Sequence, residues 1–528
     1  MLLFTFVIFG LLIIVYFLAI KPFNYWKERN VQTGKIIPFF GDSFGMFFGM
    51  ESYADMTVSL YNKVSNVRYV GAYQFQVPSL VLRCPRLIKE ICVKNSDHFL
   101  DHRSIIPENV DELWSRNLFL LKGQNWKDVR SSITPSFTSS KMKAMFVLIH
   151  EISNTFVNHF WKKNEDFIEV DFKDYFSRYS IDIIASTAFG LQIDSLKDRQ
   201  NKFYMMGQEG ANFSTPLKKI IFFIYQLFPR FSKFFKIKLL GDEVRLFFVN
   251  LVRSQIEIRR KINIKRPDML GLLMEAQGVE QNENASEIEN SNSEISMEHL
   301  EVNNQEKGLT ESDIVSQAFI FFVAGYESGS SAMCFMAYEL ALNPDVQKKL
   351  IEEIDAVKSD EAPAYETIMN MTYLDMVFSE TIRKWPVLVA TDRVVTKPYT
   401  IEPEHPGEQP LHCKNGDILF LPIFAIHHDP DYFENPEKFD PERFSPENKG
   451  SIQPYTYLPF GAGPRNCIAS RFVSMEIKAV FFNLLSHFEI VPIEKTPIPL
   501  KLIKSSMNLA SETGFHLGLK RRNRNITY

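Results

Sequence analysis

A single cysteine near the C-terminus stands in LPFGAGPRNCIASRF, residues 458–472, and its neighbours predict a chemically specialised side chain. Gly461 and Gly463 allow backbone conformations that other residues avoid, and Pro464 fixes its own φ, so a rigid loop can present the sulfur at a set angle. An amphipathic run follows from Cys467 and predicts a helix whose N-terminal N–H groups stabilise a thiolate. Such a cysteine can be a buried structural residue, a catalytic nucleophile, or a metal or haem ligand.

The arginine two residues before this cysteine favours the last of these roles. The guanidinium of Arg465 suits a carboxylate that lies beside the bound sulfur. A nucleophile does not need such a partner, whereas haem carries two propionates. The other four cysteines are scattered without a C-x-x-C spacing, so the sequence indicates neither a disulfide framework nor a zinc site and fits a reducing compartment.

The segment F-G-A-G-P-R-N-C-I-A resembles the cysteine loop of the cytochrome P-450 superfamily, F-x-x-G-x-R-x-C-x-G/A, with every specified position filled. The resemblance implies that Cys467 ligates the iron of haem b, and that Phe460 and Arg465 belong to the cofactor-binding loop. A thiolate in that position favours O–O cleavage.

Two further motifs of that superfamily occur in the expected order. In FSETIRKWP, residues 378–386, Glu380 and Arg383 lie three apart on one helix face, a spacing that ordinary surface ion pairs also show. Their usual partner is the arginine of P-E-R-F, which is Arg443 here. The resemblance therefore implies a buried charge network of these three side chains that holds the cysteine loop.

The resemblance also nominates partners for the haem propionates. In WKDVR, Trp126 and Arg130 lie one helical turn apart and match the W-x-x-x-R of the microsomal members. Arg103 in FLDHRS and Arg393 in TDRVV are further candidates, although an ordinary surface position is an alternative for both.

A long helix is predicted to begin at Thr310, because Thr310 and Asp313 resemble a capping box. Its interior contains Gly325 and Gly329, each costing roughly 1 kcal/mol relative to alanine in a helix. Two such penalties need a reason, and the resemblance to the A/G-G-x-D/E-T motif supplies one: a locally opened helix over the haem.

Three residues of this helix are implied as part of the site. Ala324 contacts the cofactor, and Glu327 and Ser328 are the catalytic acid and alcohol that deliver protons. Serine stands where threonine is usual, so the hydroxyl survives but the β-branch that stiffens χ1 is lost. A solvated structural carboxylate is the alternative for Glu327.

The remaining pattern predicts a mainly α chain with a smaller β portion, as one large haem-thiolate fold. At 528 residues the chain can bury a substantial core, and its 47 phenylalanines suit an apolar interior or the lining of an apolar cavity. Helical runs are predicted around 124–160, 243–276, 310–342, 344–358 and 467–488, and short strands within 68–83 and 392–424.

The N-terminus predicts a membrane anchor. Residues 2–20 carry no charge, and about 19 residues at about 1.5 Å each approach the thickness of a bilayer core. Lys21, Lys27 and Arg29 follow, which predicts a cytosolic catalytic portion by the positive-inside rule. The predicted organisation is an anchor at 1–20, a hinge and proline-containing linker at 21–50, and a catalytic domain at 51–528 with an acidic mobile insertion at 280–307.

A second segment, 214–240, interleaves phenylalanines with lysines and arginines. Such mixing suits a surface that dips into lipid headgroups, and two buried helices are the alternative.

Phrases such as FMAYELALNPDVQKKL look most like insect microsomal members that handle plant toxins and insecticides. The implied reaction is monooxygenation of lipophilic small molecules at the endoplasmic reticulum membrane. NADPH would act only indirectly, through NADPH-cytochrome reductase, and cytochrome b5 is a second candidate partner. A haem-thiolate isomerase or dehydratase and a non-catalytic haem-binding protein are the alternatives. The net charge of −4 gives no reason to expect nucleic-acid binding.

Overall fold

The computed structural model describes residues 20–522 and a few earlier positions; the gaps are 108–109, 214, 264–265, 267, 278–308, 358–362 and 505, and the earlier positions are 4, 9–10 and 16–17. Within this part the chain is mainly helical with a smaller strand portion, which confirms that side of the predicted fold class. The acidic segment 280–307 lies outside the described residues. Most of 2–20 does too, so the predicted anchor stays a prediction.

Amphipathic runs become helices because one apolar face of each can be buried against its neighbours. The run predicted around 124–160 is divided, since Pro135 lies in a short 3-10 turn between two helices. The helices are α1 (Phe44–Phe47), α2 (Tyr53–Tyr61), α3 (Pro85–Lys89), α4 (Glu112–Ser115), α5 (Gly123–Ile133), α6 (Ser139–Trp161), α7 (Phe172–Ile184), α8 (Lys202–Ala211), α9 (Pro216–Leu227), α10 (Pro229–Phe234), α11 (Asp242–Ile262), α12 (Glu311–Leu342), α13 (Pro344–Val357), α14 (Tyr365–Met369), α15 (Thr372–Lys384), α16 (Ile423–His427) and α17 (Ser470–Leu485).

The two regions predicted as strands meet in one sheet. The strands are β1 (Tyr69–Gln74), β2 (Val77–Leu82), β3 (Phe167–Asp171), β4 (Thr391–Val394), β5 (Tyr399–Ile401), β6 (Leu411–Cys413), β7 (Ile418–Leu421), β8 (Phe488–Pro492) and β9 (His516–Arg521). A four-stranded sheet has the order β1-β2-β7-β4, with β2 parallel to β7 and the other pairs antiparallel. Smaller antiparallel sheets are formed by β3-β9-β8 and by β5-β6.

The long helix α12 runs through the middle of the fold. The Thr310 hydroxyl accepts the Asp313 N–H at 3.2 Å, and the Asp313 carboxylate accepts the Thr310 N–H at 2.9 Å, which confirms the predicted capping box. Among the described residues α12 is the one helix long and apolar enough to cross a membrane, but two-thirds of its apolar window is buried inside the protein. It packs against α7, α8, α11, α15, α17 and β8, so it is the central core helix.

The segment after residue 20 is docked on the large sheet. Trp26 is buried, its indole N–H donates to the Ala72 carbonyl at 3.0 Å, and its backbone N–H donates to the Tyr73 hydroxyl at 3.1 Å. A Cβ at Gly71 would lie 2.6 Å from the indole, so only glycine allows this approach. The first part of the predicted linker 21–50 is therefore attached to the globular body.

Candidate active site

The loop that carries the cysteine depends on its two glycines. Gly461 and Gly463 have φ of +73° and +72°, a region that side chains with a Cβ rarely adopt. A Cβ at Gly463 would lie 1.8 Å from the carbonyl oxygen of Cys92, so the loop also packs too tightly for any larger residue. The Cys467 N–H donates to the Phe460 carbonyl at 2.9 Å and closes the loop.

The sulfur of Cys467 lies just before a helix rather than at its first residue. The helix α17 begins at Ser470, so the prediction of a helix from Cys467 was wrong by three residues. Burial raises the pKa of the Cys467 thiol, while the Ala469 N–H and the Arg130 guanidinium act in the opposite direction. The thiol is desolvated although the residue keeps accessible surface. This surface therefore faces an internal space and not bulk solvent.

Two arginines from different elements donate hydrogen bonds to this loop, one to a side chain and one to the backbone. Arg130 on α5 donates to the side-chain oxygen of Asn466 at 3.0 Å, next to Cys467. Arg393 on β4 is 2% exposed and donates to the Ala462 carbonyl at 2.9 Å, which excludes the surface alternative for Arg393.

A third arginine, Arg465, is held from several sides. Its guanidinium lies over the Trp126 ring at 4.0 Å from the ring centre and forms an ion pair with Asp101 at 3.2 Å. It also donates to the carbonyls of Leu100 and Leu121, both at 2.7 Å. Burial lowers the pKa of Arg465 to about 10, which leaves the guanidinium charged near neutral pH.

His102 belongs to this cationic neighbourhood and was missed by sequence reasoning. It is buried, its Nδ1 lies 3.0 Å from the Asp392 carboxylate, and its ring stacks on Phe119. Burial lowers the pKa of His102, and the nearby Arg393 and Arg465 act in the same direction. The only sequence signal was its position beside Arg103.

Arg103 itself points elsewhere. Its guanidinium donates to the side-chain oxygen of Gln74 at 3.0 Å and to that of Gln226, and its backbone N–H donates to Asp392 at 2.7 Å. Among the described residues, the guanidinium forms no hydrogen bond or ion pair with the cysteine loop. The structure therefore separates Arg103 from the side chains with which the sequence grouped it.

The middle of α12 is accessible at one turn. Ala324 is exposed although Phe322, Val323 and Tyr326 are buried, so the helix borders an internal space there. The Ser328 hydroxyl donates to the Ala324 carbonyl, four residues back. The helix is continuous from Glu311 to Leu342, so the predicted local opening was wrong in this structure, and the two glycines are accommodated without it.

Close packing explains why a glycine stands at position 329, and an ion pair fixes the side chain of Glu327 on the same helix. A Cβ at Gly329 would lie 3.1 Å from the carboxylate of Glu476 on α17. The Glu327 carboxylate lies 3.0 Å from the ammonium of Lys173 on α7, which also donates to Ser330 at 3.2 Å. Glu327 is thus engaged toward α7.

Glu476 is a second residue that sequence reasoning missed. It is 1% exposed, and its Oε1 accepts a hydrogen bond from Ser180 at 2.8 Å, while Oε2 has no partner among the described residues. Burial raises the pKa of Glu476 to about 8, so the carboxyl is largely protonated at neutral pH. A glutamate within the apolar run of α17 was the available signal.

The three residues of the predicted charge network lie together. Arg383 and Glu380 are completely buried and their side chains form an ion pair at 2.7 Å. Arg443 approaches the other Glu380 oxygen at 3.5 Å, and the Asp440 N–H donates to that oxygen at 2.9 Å. Arg383 also donates to the carbonyl of Pro436 at 2.7 Å, so this pair fastens the chain before the cysteine loop.

A buried histidine connects this network to the loop. Arg383 donates to the His427 carbonyl at 2.7 Å, and the His427 ring lies with Nδ1 at 3.0 Å from the Arg383 carbonyl. Its Nε2 accepts the Leu458 N–H at 2.8 Å, which fixes the proton on Nδ1. Burial and Arg383 hold the pKa of His427 well below its ordinary value, so the ring is neutral.

These residues fit a haem with a cysteine ligand. Cys467 offers an enclosed but accessible sulfur, and binding of a metal cation removes the proton that burial otherwise retains. Arg130, Arg393 and Arg465 provide the cations that two carboxylates of a cofactor need. One thiol and three buried or half-buried arginines around a rigid loop are the arrangement expected of a haem-thiolate protein.

Comparison with known proteins agrees with this class. Residues 33–517 match the family model described as Cytochrome P450. Relatives include "Cytochrome P450 9e2" of Blattella germanica, 40% identical with 98% of each chain covered, and "Probable cytochrome P450 9f2" of Drosophila melanogaster, 40% identical with 95% of each covered. "Cytochrome P450 6j1" of Blattella germanica is 33% identical with 97% of this chain and 96% of its own covered.

This chain belongs to the cytochrome P450 family and is a haem-thiolate monooxygenase. The superfamily resemblance and the likeness to insect members are thereby confirmed. The roles of the individual site residues toward haem stay predictions.

Proposed function

We propose that this P450 inserts one atom of O₂ into lipophilic small molecules, which include xenobiotics, plant toxins, insecticides and endogenous lipids. Its two electrons come from NADPH through a membrane-bound flavoprotein reductase, on the cytosolic face of the endoplasmic reticulum membrane. The observation that carries this proposal is the accessible Cys467 sulfur, held by a rigid loop inside an apolar fold.

When bound, haem b supplies the iron centre that activates dioxygen. Cys467 is the protein ligand of that iron, and Arg130, Arg393 and Arg465 hold the two propionates with Trp126. Phe460 lies in the same loop and packs against the main hydrophobic core.

Proton delivery is assigned to Ser328 and Glu327. The Ser328 hydroxyl donates to the Ala324 carbonyl at an accessible turn of α12, so rotation about its Cβ–Oγ bond redirects its proton into the internal space. The carboxylate of Glu327 has to leave Lys173 and take up a proton from solvent before it can replace that proton. Glu327 therefore supplies protons and Ser328 passes them on.

Electron delivery is assigned to a basic surface near the cysteine loop. Lys127 on α5 is exposed, while Lys141 and Lys143 on α6 form ion pairs with Glu275 and Glu366. Exposed ion pairs are weak, so the carboxylates of an acidic reductase surface can displace Glu275 and Glu366 from these lysines. Cytochrome b5 is a second donor for the same surface.

Membrane association is assigned to the anchor at 1–20 and to an aromatic patch of exposed and half-buried rings, which we define as Phe40, Phe44, Phe47, Phe48, Phe75 and Phe223. Their rings contact one another, for example Phe47 and Phe223 at 5.1 Å between ring centres. The neighbouring helices α9 and α10 leave large apolar side chains exposed, including Phe234 at 81% and Leu217 at 67%, which disagrees with two buried helices. Such a surface favours lipid headgroups and acyl chains.

The test is expression of the full chain in membranes with a P450 reductase. We expect a reduced carbon monoxide difference spectrum typical of thiolate ligation, and NADPH-dependent formation of oxygenated product from neutral lipophilic compounds. Cys467→Ser is expected to abolish both. Product formed at the wild-type rate without NADPH or reductase would exclude this electron route, and a Soret spectrum unaffected by Cys467→Ser would exclude the assigned ligand.

A further inference from the structure

Gln317 is a completely buried amide on α12 that binds two backbone groups of the chain between α4 and α5. Its side-chain oxygen accepts the Leu118 N–H at 2.8 Å, and its side-chain nitrogen donates to the Arg116 carbonyl at 2.8 Å. A backbone N–H can only donate and a carbonyl can only accept, so these partners fix which way the amide is turned. Gln317 therefore pairs with this segment as a neighbouring strand would.

The segment that it binds, residues 116–122, is called here the α4–α5 loop, and it is held together internally. Asn117 is completely buried, and its side-chain oxygen accepts the N–H groups of Phe119 and Leu120 at 3.1 and 3.0 Å. A loop with such internal bonds moves as one unit, so Gln317 fixes much of its length against α12.

The α4–α5 loop also holds the guanidinium of Arg465. The carbonyls of Leu118 and Phe119 accept from one terminal nitrogen, both at 3.4 Å, and the Leu121 carbonyl accepts from the other at 2.7 Å. Leu118 takes part in both sets of contacts, since its N–H donates to Gln317 and its carbonyl accepts from Arg465. A single residue thus separates the buried amide of α12 from the arginine of the cysteine loop.

Other polar contacts between this region and α12 are weaker. The Ser316 hydroxyl lies 3.4 Å from the Glu112 carbonyl. The Arg116 guanidinium pairs with Asp313 at 2.9 Å, but its side chain is 44% exposed. Exposed ion pairs contribute little, so the two buried bonds of Gln317 set the distance between loop and helix.

We propose that Gln317 is a positioning residue for the cofactor, which holds Arg465, through the α4–α5 loop, where this arginine binds a haem propionate. The inference rests on the proposed role of Arg465. Because Gln317 has no accessible surface, it acts through the loop and not by touching the cofactor. Since α12 also carries Glu327 and Ser328, the same two bonds fix the cysteine loop relative to the helix that is assigned to proton delivery.

Displacement of Arg465 would leave a propionate less well neutralised. Uncompensated negative charge near the iron favours the ferric state, which carries one more positive charge, so the reduction potential falls. The cofactor also loses a charge-assisted hydrogen bond and dissociates faster. A residue that only stabilises the fold would leave the potential of the folded, haem-loaded protein unchanged.

The test measures the reduction potential of the full-length haem-loaded protein and the rate at which haem passes to excess apomyoglobin. Gln317→Met keeps the length of the side chain and removes both hydrogen bonds. We expect the equilibrium constant for reduction to fall about threefold to tenfold, which is about 30–60 mV for one electron. Haem transfer is expected to become about tenfold faster, the usual loss for a hydrogen bond to a charged group.

Gln347 on α13 provides the matched control. It is also a buried glutamine that pairs with backbone, because its side chain accepts the Ile490 N–H at 2.7 Å and donates to the Ile490 carbonyl at 2.8 Å. Gln347→Met and Gln317→Met are both expected to lower Tm by about 2–5 °C, since each leaves backbone groups without partners. Only Gln317→Met is expected to lower the potential, and equal potentials in the two variants would overturn the inference.

A milder variant keeps the test decisive if Gln317→Met fails to fold. Gln317→Asn retains the amide but is one methylene shorter, so it can reach at most one of its two backbone partners. We expect a smaller fall in potential than for Gln317→Met. A lower Tm with the wild-type potential would show that Gln317 only stabilises the fold, against the inference.

Arg465→Lys separates this inference from the contact on which it rests. Lysine keeps the charge but loses the planar fork of donors, so we expect a potential at least as low as that of Gln317→Met. Adding Gln317→Met to Arg465→Lys is expected to change the potential little further, and fully additive shifts would contradict action through Arg465. A wild-type potential in Arg465→Lys would refute the propionate contact itself, whereas a lowered potential there and not in the Gln317 variants would refute this inference alone.

Discussion

Replacing Gly463 by alanine tests whether the loop backbone sets the position of the sulfur. The added Cβ would lie 1.8 Å from the Cys92 carbonyl oxygen, whereas such contacts stay above 3.0 Å, so the loop has to move by about 1.2 Å. The positive φ adds roughly 1–2 kcal/mol for a residue with a Cβ. A displacement of about 1 Å at a catalytic group costs about a hundredfold in turnover.

Gly461 provides the matched control in the same loop. Its φ is +73°, but the nearest atom to an added Cβ lies 3.9 Å away, so Gly461→Ala carries only the backbone cost. Over 528 residues the entropy of unfolding is about 1.1 kcal/mol/K, from about 2.1 cal/mol/K per residue, so the cost lowers Tm by about 1–2 °C.

The assay is the reduced carbon monoxide difference spectrum together with turnover of a neutral lipophilic compound. Gly463→Ala is expected to lose thiolate ligation in most molecules and about a hundredfold in turnover per holoenzyme, while Gly461→Ala keeps both with a slightly lower Tm. Equal behaviour of the two variants would refute the argument from the Cys92 contact.

The remaining predictions concern three side chains of the site. Glu380→Gln removes the anion from a completely buried ion pair with Arg383, and we expect a destabilisation of about 3–5 kcal/mol, measured as loss of the carbon monoxide spectrum on mild heating; exposed Glu437→Gln is the control. Ser328→Thr restores a β-branch and is expected to raise the product formed per NADPH oxidised, whereas Ser328→Ala lowers it; equal ratios in all three proteins would contradict the assigned role. Burial raises the pKa of Glu476 from 4.5 to about 8, so the folded state holds a proton that the unfolded state releases, and stability is lost as pH rises between these values. Glu476→Gln does not titrate, so its Tm relative to wild type is expected to be higher at about pH 8.5 than at about pH 5.5; a pH-independent difference would count against the raised pKa.

Local chemistry explains what the sequence predicted well. The cap at Thr310 and the strands within 68–83 depend on neighbours a few residues apart, so their patterns are complete in the sequence. The shape of the cysteine loop is also a local property, because it depends on the positive φ of two glycines within the loop itself. The Glu380–Arg383 spacing is local too, although its burial is not.

Tertiary contacts decide what the sequence missed. His102 is near the cysteine loop because Asp392, 290 residues away, holds its ring. Arg103 is drawn to Gln74 and Gln226 from two other elements, and no spacing within FLDHRS contains that information. Glu476 has its shifted pKa because α7 and α12 pack over it. A sequence motif shows which residues are neighbours in the chain. Tertiary packing decides which of those residues face the site.

The docking of Trp26 affects how the molecule is oriented relative to a bilayer. Since the indole is fixed to the same hairpin that carries Phe75, a pull on the N-terminal end is transmitted to the sheet within a few residues. With the proposed anchor in lipid, the catalytic body is then unable to tumble on a loose tether. Inserting residues between the anchor and Trp26 would increase its height above the headgroups and give it back the freedom to tumble.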